Sequence, residues 1–257
     1  IMGAVTPEVE MQSSRVQEFM NYQITTEMEE YTPEMDQLLF YLPLAGSAFK
    51  KVYYDAMKQR ACSLFVPVED LLVPYSASDI NTCERVTHIV KMTHNEVRAQ
   101  QLSGAYLDIE IKPSEMGVSD IQEKTDELEG IENNSDMMYE LLEFHVSLDL
   151  PGFEDPDGMH IPYIITIDKT SSKILSIRRN YREDDPLKQK TQYFVHYKFL
   201  PGLGFYGFGL IHMIGGLSRT ATAALRQLID AGTLSNLPAG FKARGLRIRD
   251  DETPLEP

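Results

Sequence analysis

Pro162-Tyr-Ile-Ile-Thr-Ile-Asp168 and Lys173-Ile-Leu-Ser-Ile-Arg-Arg-Asn180, joined by Lys169-Thr-Ser-Ser172, decide the fold class. Both runs are rich in β-branched and aromatic residues, and the link between them is short and polar, which predicts a β-hairpin. Working outward, 141–150 and 191–200 carry the same strand signal. Earlier in the chain, 49–54, 63–68 and 85–92 do so too. In the last of these, Val86, His88, Val90 and Met92 fall on one face of the alternation.

Helical patterns bound this sheet-forming region. Thr6 is a suitable N-cap and Pro7 a suitable first helical residue. Val9, Val16, Phe19, Met20, Ile24, Met28 and Tyr31 then recur at steps of three and four, which predicts a helix over 7–31. A second helix is expected over 33–41 with Met35, Leu38, Leu39 and Leu42 inward, stopped by Pro43 and Gly46. Thr93 and Glu96 have the spacing of a capping box before a short helix that Gly104 ends. A glycine-rich bend over 201–209 precedes a long helix over 210–231. The fold class is α+β: antiparallel sheets flanked by N-terminal helices and a long C-terminal helix.

The chain has 257 residues, 42% of them hydrophobic, which excludes a disordered or collagen-like chain. Its net charge is −15, but the acid is concentrated. Between Tyr106 and His160 sixteen acidic residues face only Lys112 and Lys124, a local charge of −14. From 215 to 249 the sign reverses, with six basic residues against Asp230 alone. Charge segregated in this way bears on partners more than on fold. No apolar run reaches the roughly 18 residues of a membrane span, so no membrane association is expected. The first residue is Ile1 and no signal peptide follows, which reads as a piece of a longer chain. Two cysteines, Cys62 and Cys83, form neither a disulfide framework nor a zinc site, and read as free thiols.

Four features bear on chemistry. Gly202-Leu-Gly204-Phe-Tyr-Gly207 matches G-x-G-x-x-G between a strand and a helix. However, Phe205, Tyr206 and Phe208 occupy the approach a pyrophosphate needs, and no βαβ repeat follows. The glycines read instead as permitting a crowded aromatic turn from sheet to helix. The carboxylates from Asp108 to Glu143 suit a metal-dependent nuclease, but they lack ligand spacing and read as a solvated acidic face. No G-x-S-x-G or other nucleophile context occurs, so no catalytic residue, metal or cofactor is assigned. Lys242, Arg244, Arg247 and Arg249 form a basic run suited to phosphate or an acidic protein partner.

Several blocks resemble portal proteins of tailed, especially short-tailed, bacteriophages. The longest runs over 205–246 and includes Phe205-Tyr-Gly-Phe-Gly-Leu-Ile-His-Met-Ile-Gly-Gly-Leu-Ser-Arg219 and Leu234-Ser-Asn-Leu-Pro-Ala-Gly-Phe-Lys242. The others are Met35-Asp-Gln-Leu-Leu-Phe-Tyr-Leu-Pro-Leu-Ala-Gly-Ser47 with the residues to Asp55, Val68-Glu-Asp-Leu-Leu-Val-Pro-Tyr75, and Thr191-Gln-Tyr-Phe-Val-His-Tyr-Lys-Phe-Leu200. The resemblance implies a non-enzymatic subunit of a homo-oligomeric ring, usually of twelve copies, at the capsid portal vertex of the virion. Such a ring is assembled in the host cytoplasm. Double-stranded DNA passes through it non-specifically during packaging and ejection. The ring docks a terminase motor, tail adaptor and head-completion proteins, and capsid or scaffold protein.

Carried over, 1–48 is an N-terminal helical segment, and 49–205 is the wing with an acidic insert at about 114–138. Residues 206–234 are a stem helix bearing Arg219, Ala223 and Arg226, and 235–257 begin the clip. Gly202, Gly204, Gly207 and Gly209 fall at the wing–stem joint, and the basic run falls in the clip. The other readings are the metal-dependent nuclease and an acidic scaffold or adaptor through which no DNA passes.

Overall fold

The computed structural model describes residues 6–115, 130, 137–153, 156 and 158–236. Contacts divide the chain into two units, 1–211 and 212–257.

In the first unit, helix α1 (Pro7–Tyr22) starts where expected, with the Thr6 hydroxyl accepting from the Val9 N–H. It ends well before Tyr31. The chain widens into a π-turn over Gln23–Glu27, where the Thr25 hydroxyl donates to the Asn21 carbonyl. Such back-bonding, together with adjacent β-branched threonines, disfavours a straight continuation. Helix α2 (Tyr31–Ala45) follows. It starts at Tyr31, ahead of the expected 33, after Glu30, whose carboxylate takes a 2.6 Å bond from Arg60. Pro43 lies inside the helix, and Gly46 ends it in the left-handed region at φ 86° while donating to the Leu42 carbonyl. Leu38 is fully buried, but Leu39, expected inward, is more than half exposed.

Two antiparallel sheets carry the unit. The first has the order β2 (Arg60–Val66), β1 (Ser47–Asp55), β9 (Phe194–Lys198). The second runs β3 (Leu71–Leu72), β4 (Arg85–Met92), β6 (Met137–Leu148), β7 (Ile161–Asp168), β8 (Ile174–Arg179), with β5 (Ser114–Glu115) pairing β6 separately. The β7–β8 hairpin is closed by Asp168, whose carboxylate accepts from the Ser171 N–H and hydroxyl, and Ser172 takes φ 55°. Between β4 and β6, helix α3 (His94–Leu102) carries the expected capping box: Thr93 and Glu96 bond each other's backbone N–H.

Phe49 and Val66 of the first sheet, with Phe194, meet Leu71 and Val86 of the second in one core. A second cluster places Val97 of α3 with Tyr106, Ile111, Tyr139, Leu141 and Leu175. The architecture is α+β, as the sequence predicts.

The second unit is dominated by α4 (Leu210–Asn236), 27 residues with none buried. It extends five residues past the expected end. Among the described residues no helix is long and apolar enough to cross a membrane.

Candidate functional site

Three features bear on function: the glycine bend before α4, a buried charge cluster between the sheets, and α4 itself.

At the bend, Leu200 and Phe208 form a β-bridge, so 201–207 is a loop folded back on itself. Three of its four singled-out glycines are close-approach positions. A Cβ on Gly202 would strike the Tyr206 carbonyl oxygen, one on Gly207 that of Gly46, and one on Gly209 that of Leu44. Gly204 faces open space. The backbone at 207–209 is thus pressed against the end of α2 at 44–46. Ser47 fastens the joint by accepting the Gly207 N–H at 2.7 Å, and its hydroxyl also meets His196 Nε2 at 3.2 Å. His196, Phe49 and Phe205 pack as a triangle of rings, with centroids 4.5 Å apart for Phe49–His196, 4.7 Å for His196–Phe205 and 6.0 Å for Phe49–Phe205. The G-x-G-x-x-G pattern therefore makes an aromatic clasp, and its backbone is occupied by α2.

The buried cluster joins residues that the sequence pattern does not bring together, among them His88 from the alternation of β4 and Glu143 from the acidic run. Register aligns His88 on β4 with Glu143 on β6, Thr166 on β7 and Ser176 on β8, a polar row across four strands, and all four are buried. Lys51 of β1 reaches across from the other sheet to Glu143 Oε1 at 2.7 Å, and His145 Nε2 donates to the same oxygen at 2.6 Å. Phe194 packs edge-on against both His88 and His145. Burial alone would push the Glu143 carboxyl up, but the His145 hydrogen bond and the Lys51 charge outweigh it and hold it well below the usual carboxylate range. Burial pushes His88 down to about 3, helped by the Lys51 charge. His145 is also pushed down by burial, against the pull of Glu143.

The readable signal was parity. Glu143 sits between Leu141 and His145 on the inward face of β6, where an unpaired charge is too costly to keep.

These groups set the acid response. Between their unfolded and folded values the native imidazoles bind fewer protons than the unfolded chain, so stability rises with pH there. His88, His145 and His196, the last pushed down by burial to about 4, contribute stability that is complete above about 6.5 and lost as pH falls below it. The Glu143 carboxylate contributes in the same direction at lower pH. Urea midpoints are expected to be flat from pH 8 to 7 and to fall steeply from about 6 to 4. His88→Leu should flatten that fall, and a midpoint independent of pH over this range would contradict the assignment.

Among the described residues, three of the carboxylates that would serve a nuclease pair with separate cations. Asp108 pairs with Arg98, Glu140 with Lys169 and Glu143 with Lys51. Among the described residues no group of three or more His, Cys, Asp or Glu side chains could hold a metal ion. A cleft of about 460 Å³ beside α3 is lined by His94, Arg98, Asp108 and Tyr139 together with the apolar Val97, Ile109 and Ile111. The Arg98–Asp108 pair and a 3.1 Å His94–Tyr139 bond engage its side chains with one another.

On α4, Arg219 and Arg226 lie seven residues apart on one face, and Ala223 is near them on the polar side of the helix. The apolar arc is formed by other residues, among them Ile214, Leu217 and Leu228, all more than half exposed. Lys242, Arg244, Arg247 and Arg249, and most of the acidic insert, lie outside the described residues. Comparison of the chain with protein-family models and with curated proteins finds no match.

Proposed function

We propose that this chain is a subunit of a ring-shaped viral portal, a conduit through which double-stranded DNA enters and leaves a capsid. The observation that carries the reading is α4: a 27-residue amphipathic helix with nothing buried, following directly on a clasped glycine-aromatic bend. A helix of this kind gains most of its stability from tertiary or quaternary packing, so its exposed apolar arc calls for a partner surface. The sequence blocks at 35–55, 68–75, 191–200 and 205–246 support the same assignment. Lys242, Arg244, Arg247 and Arg249 are then the surface for a terminase motor or tail adaptor, and the virion portal vertex is the site of action. The role is one of assembly and passage, with no chemical step.

Electron microscopy of the full-length protein should show closed rings with a central channel. Monomers under all packaging conditions would count decisively against the portal reading. Charge reversal at Arg244 and Arg247 should weaken motor or adaptor docking while leaving rings intact.

A further inference from the structure

We infer that the outer edge of β8 is a docking site for an extended acidic segment of another protein, which adds to the larger sheet as a further strand. The inference goes beyond the ring reading and does not depend on it.

The first argument is backbone. β8 ends the path of its sheet and pairs with β7 alone. The Asn180 N–H donates to the Pro162 carbonyl, so alternation turns the backbone groups of Ser176 and Arg178 toward β7 and those of Ile177 and Arg179 outward. Two other segments cap the edge at its ends. The Leu107 N–H is bonded to the Leu175 carbonyl, and the Thr191 N–H to the Asn180 carbonyl. Between these caps the N–H and C=O groups of Ile177 and Arg179 meet no backbone partner among the described residues. All three residues from 177 to 179 are exposed, Ile177 at 47%. An edge open on its outer side and on both faces is a template for an added strand.

The second argument is charge, and it selects the occupant. Arg178 and Arg179 point to opposite faces of the strand, so positive charge flanks the open edge on both sides. Neither forms an ion pair among the described residues. Like charges directly opposite one another destabilise a strand pair, and opposite charges stabilise it. Two copies of β8 paired about the middle of so short a stretch would set Arg178 against Arg178, which works against a second copy. A strand that brings carboxylates to Arg178 and Arg179 and an aliphatic side chain to Ile177 suits all three positions. The main-chain bonds would supply the affinity and the arginines the choice of partner.

The test titrates a fluorescein-labelled, end-capped peptide, Thr-Glu-Glu-Val-Thr, with the chain and reads fluorescence anisotropy. Antiparallel addition sets its first glutamate against Arg179, its second against Arg178 and its valine against Ile177. Exchanging both glutamates for lysine should weaken binding at least about tenfold, and the double change Arg178→Glu with Arg179→Glu should reverse that preference. Circular dichroism checks that the double variant is folded. A second peptide, N-methylated at the first glutamate and the valine, keeps the charge and loses the donors that face the edge. On the wild-type chain it should also bind at least about tenfold more weakly. Hydrogen exchange at the Ile177 and Arg179 amides should slow when the unmethylated peptide binds. No binding at peptide concentrations up to about 1 mM overturns the proposal, as does equal binding of the lysine peptide. Equal binding of the N-methylated peptide overturns it too, by showing a charge contact without strand addition. Ile177 and Arg179 amides already protected in the free chain would show the edge taken by a segment of the chain itself or by a second copy, and would equally sink it.

Discussion

Gly209→Ala should destabilise the first unit by about 4 kcal/mol or more, above the 1–3 kcal/mol usual for overpacking with a flexible side chain. The reason is what the new methyl group meets. At Gly209 the nearest atoms are the Leu44 carbonyl oxygen, the Gly46 nitrogen at 2.5 Å and the Ala45 carbonyl carbon at 2.8 Å, all of them backbone. They belong to the last turn of α2 and its left-handed cap, so none can swing aside as a side-chain tip would. Relief requires the 207–209 segment to lift off α2. That breaks the Ser47–Gly207 bond and draws Phe205 out from beside His196 and Phe49. Gly204→Ala is the matched control, five residues away in the same bend. It meets nothing within 4 Å and should change stability by less than about 1 kcal/mol, or raise it slightly by restricting the unfolded chain. Thermal and urea unfolding of the two variants side by side gives the answer, and equal stability would mean the clasp does not hold the bend.

Glu143→Leu is the second large effect, expected to cost about 3–5 kcal/mol, the range for removing one partner of a buried ion pair. Lys51 and Glu143 are each about nine-tenths buried at the side chain, and Lys51 reaches Glu143 from the other sheet. Deleting the carboxylate strands the ammonium among Tyr53, Phe194 and the neutral His88, and leaves His145 without its acceptor. The compensating double variant, Lys51→Met with Glu143→Leu, removes both charges and should recover most of the loss, because two buried charges repay little beyond their own desolvation. The double-mutant cycle, read by urea unfolding, separates this from a simple volume change. A double variant no better than Glu143→Leu alone would show that the pair is not what joins the sheets.

Both effects depend on residues far apart in the chain, and this marks how much could be read in advance. The bounds of β4, the capping box at Thr93 and Glu96, the β7–β8 hairpin and the start of α4 at Leu210 were all legible. Each depends on neighbours within a turn or on a simple alternation. The early end of α1 was missed because Val9 to Tyr31 keeps a helical period through a stretch where threonine back-bonding interrupts the helix. Ala221, Ala223 and Ala224 are alike in size, and their angular positions along α4 put Ala221 and Ala224 with the apolar arc and Ala223 on the polar side.

By itself the sequence determined the fold class, the strand faces, the helix caps and the separation of acid from base. These follow from local periodicity and backbone chemistry, which act over a few residues. Tertiary structure alone decided that Lys51 would meet Glu143 and that Gly209 would press on Leu44. Alternation tells which side chains point inward but not which sheet lies opposite, and a glycine pattern reveals freedom of backbone but not what comes close enough to need it. Those answers come from packing between segments about 90 and 160 residues apart, where the cost of an unpaired charge or a misplaced methyl group selects one arrangement from many that satisfy the local rules.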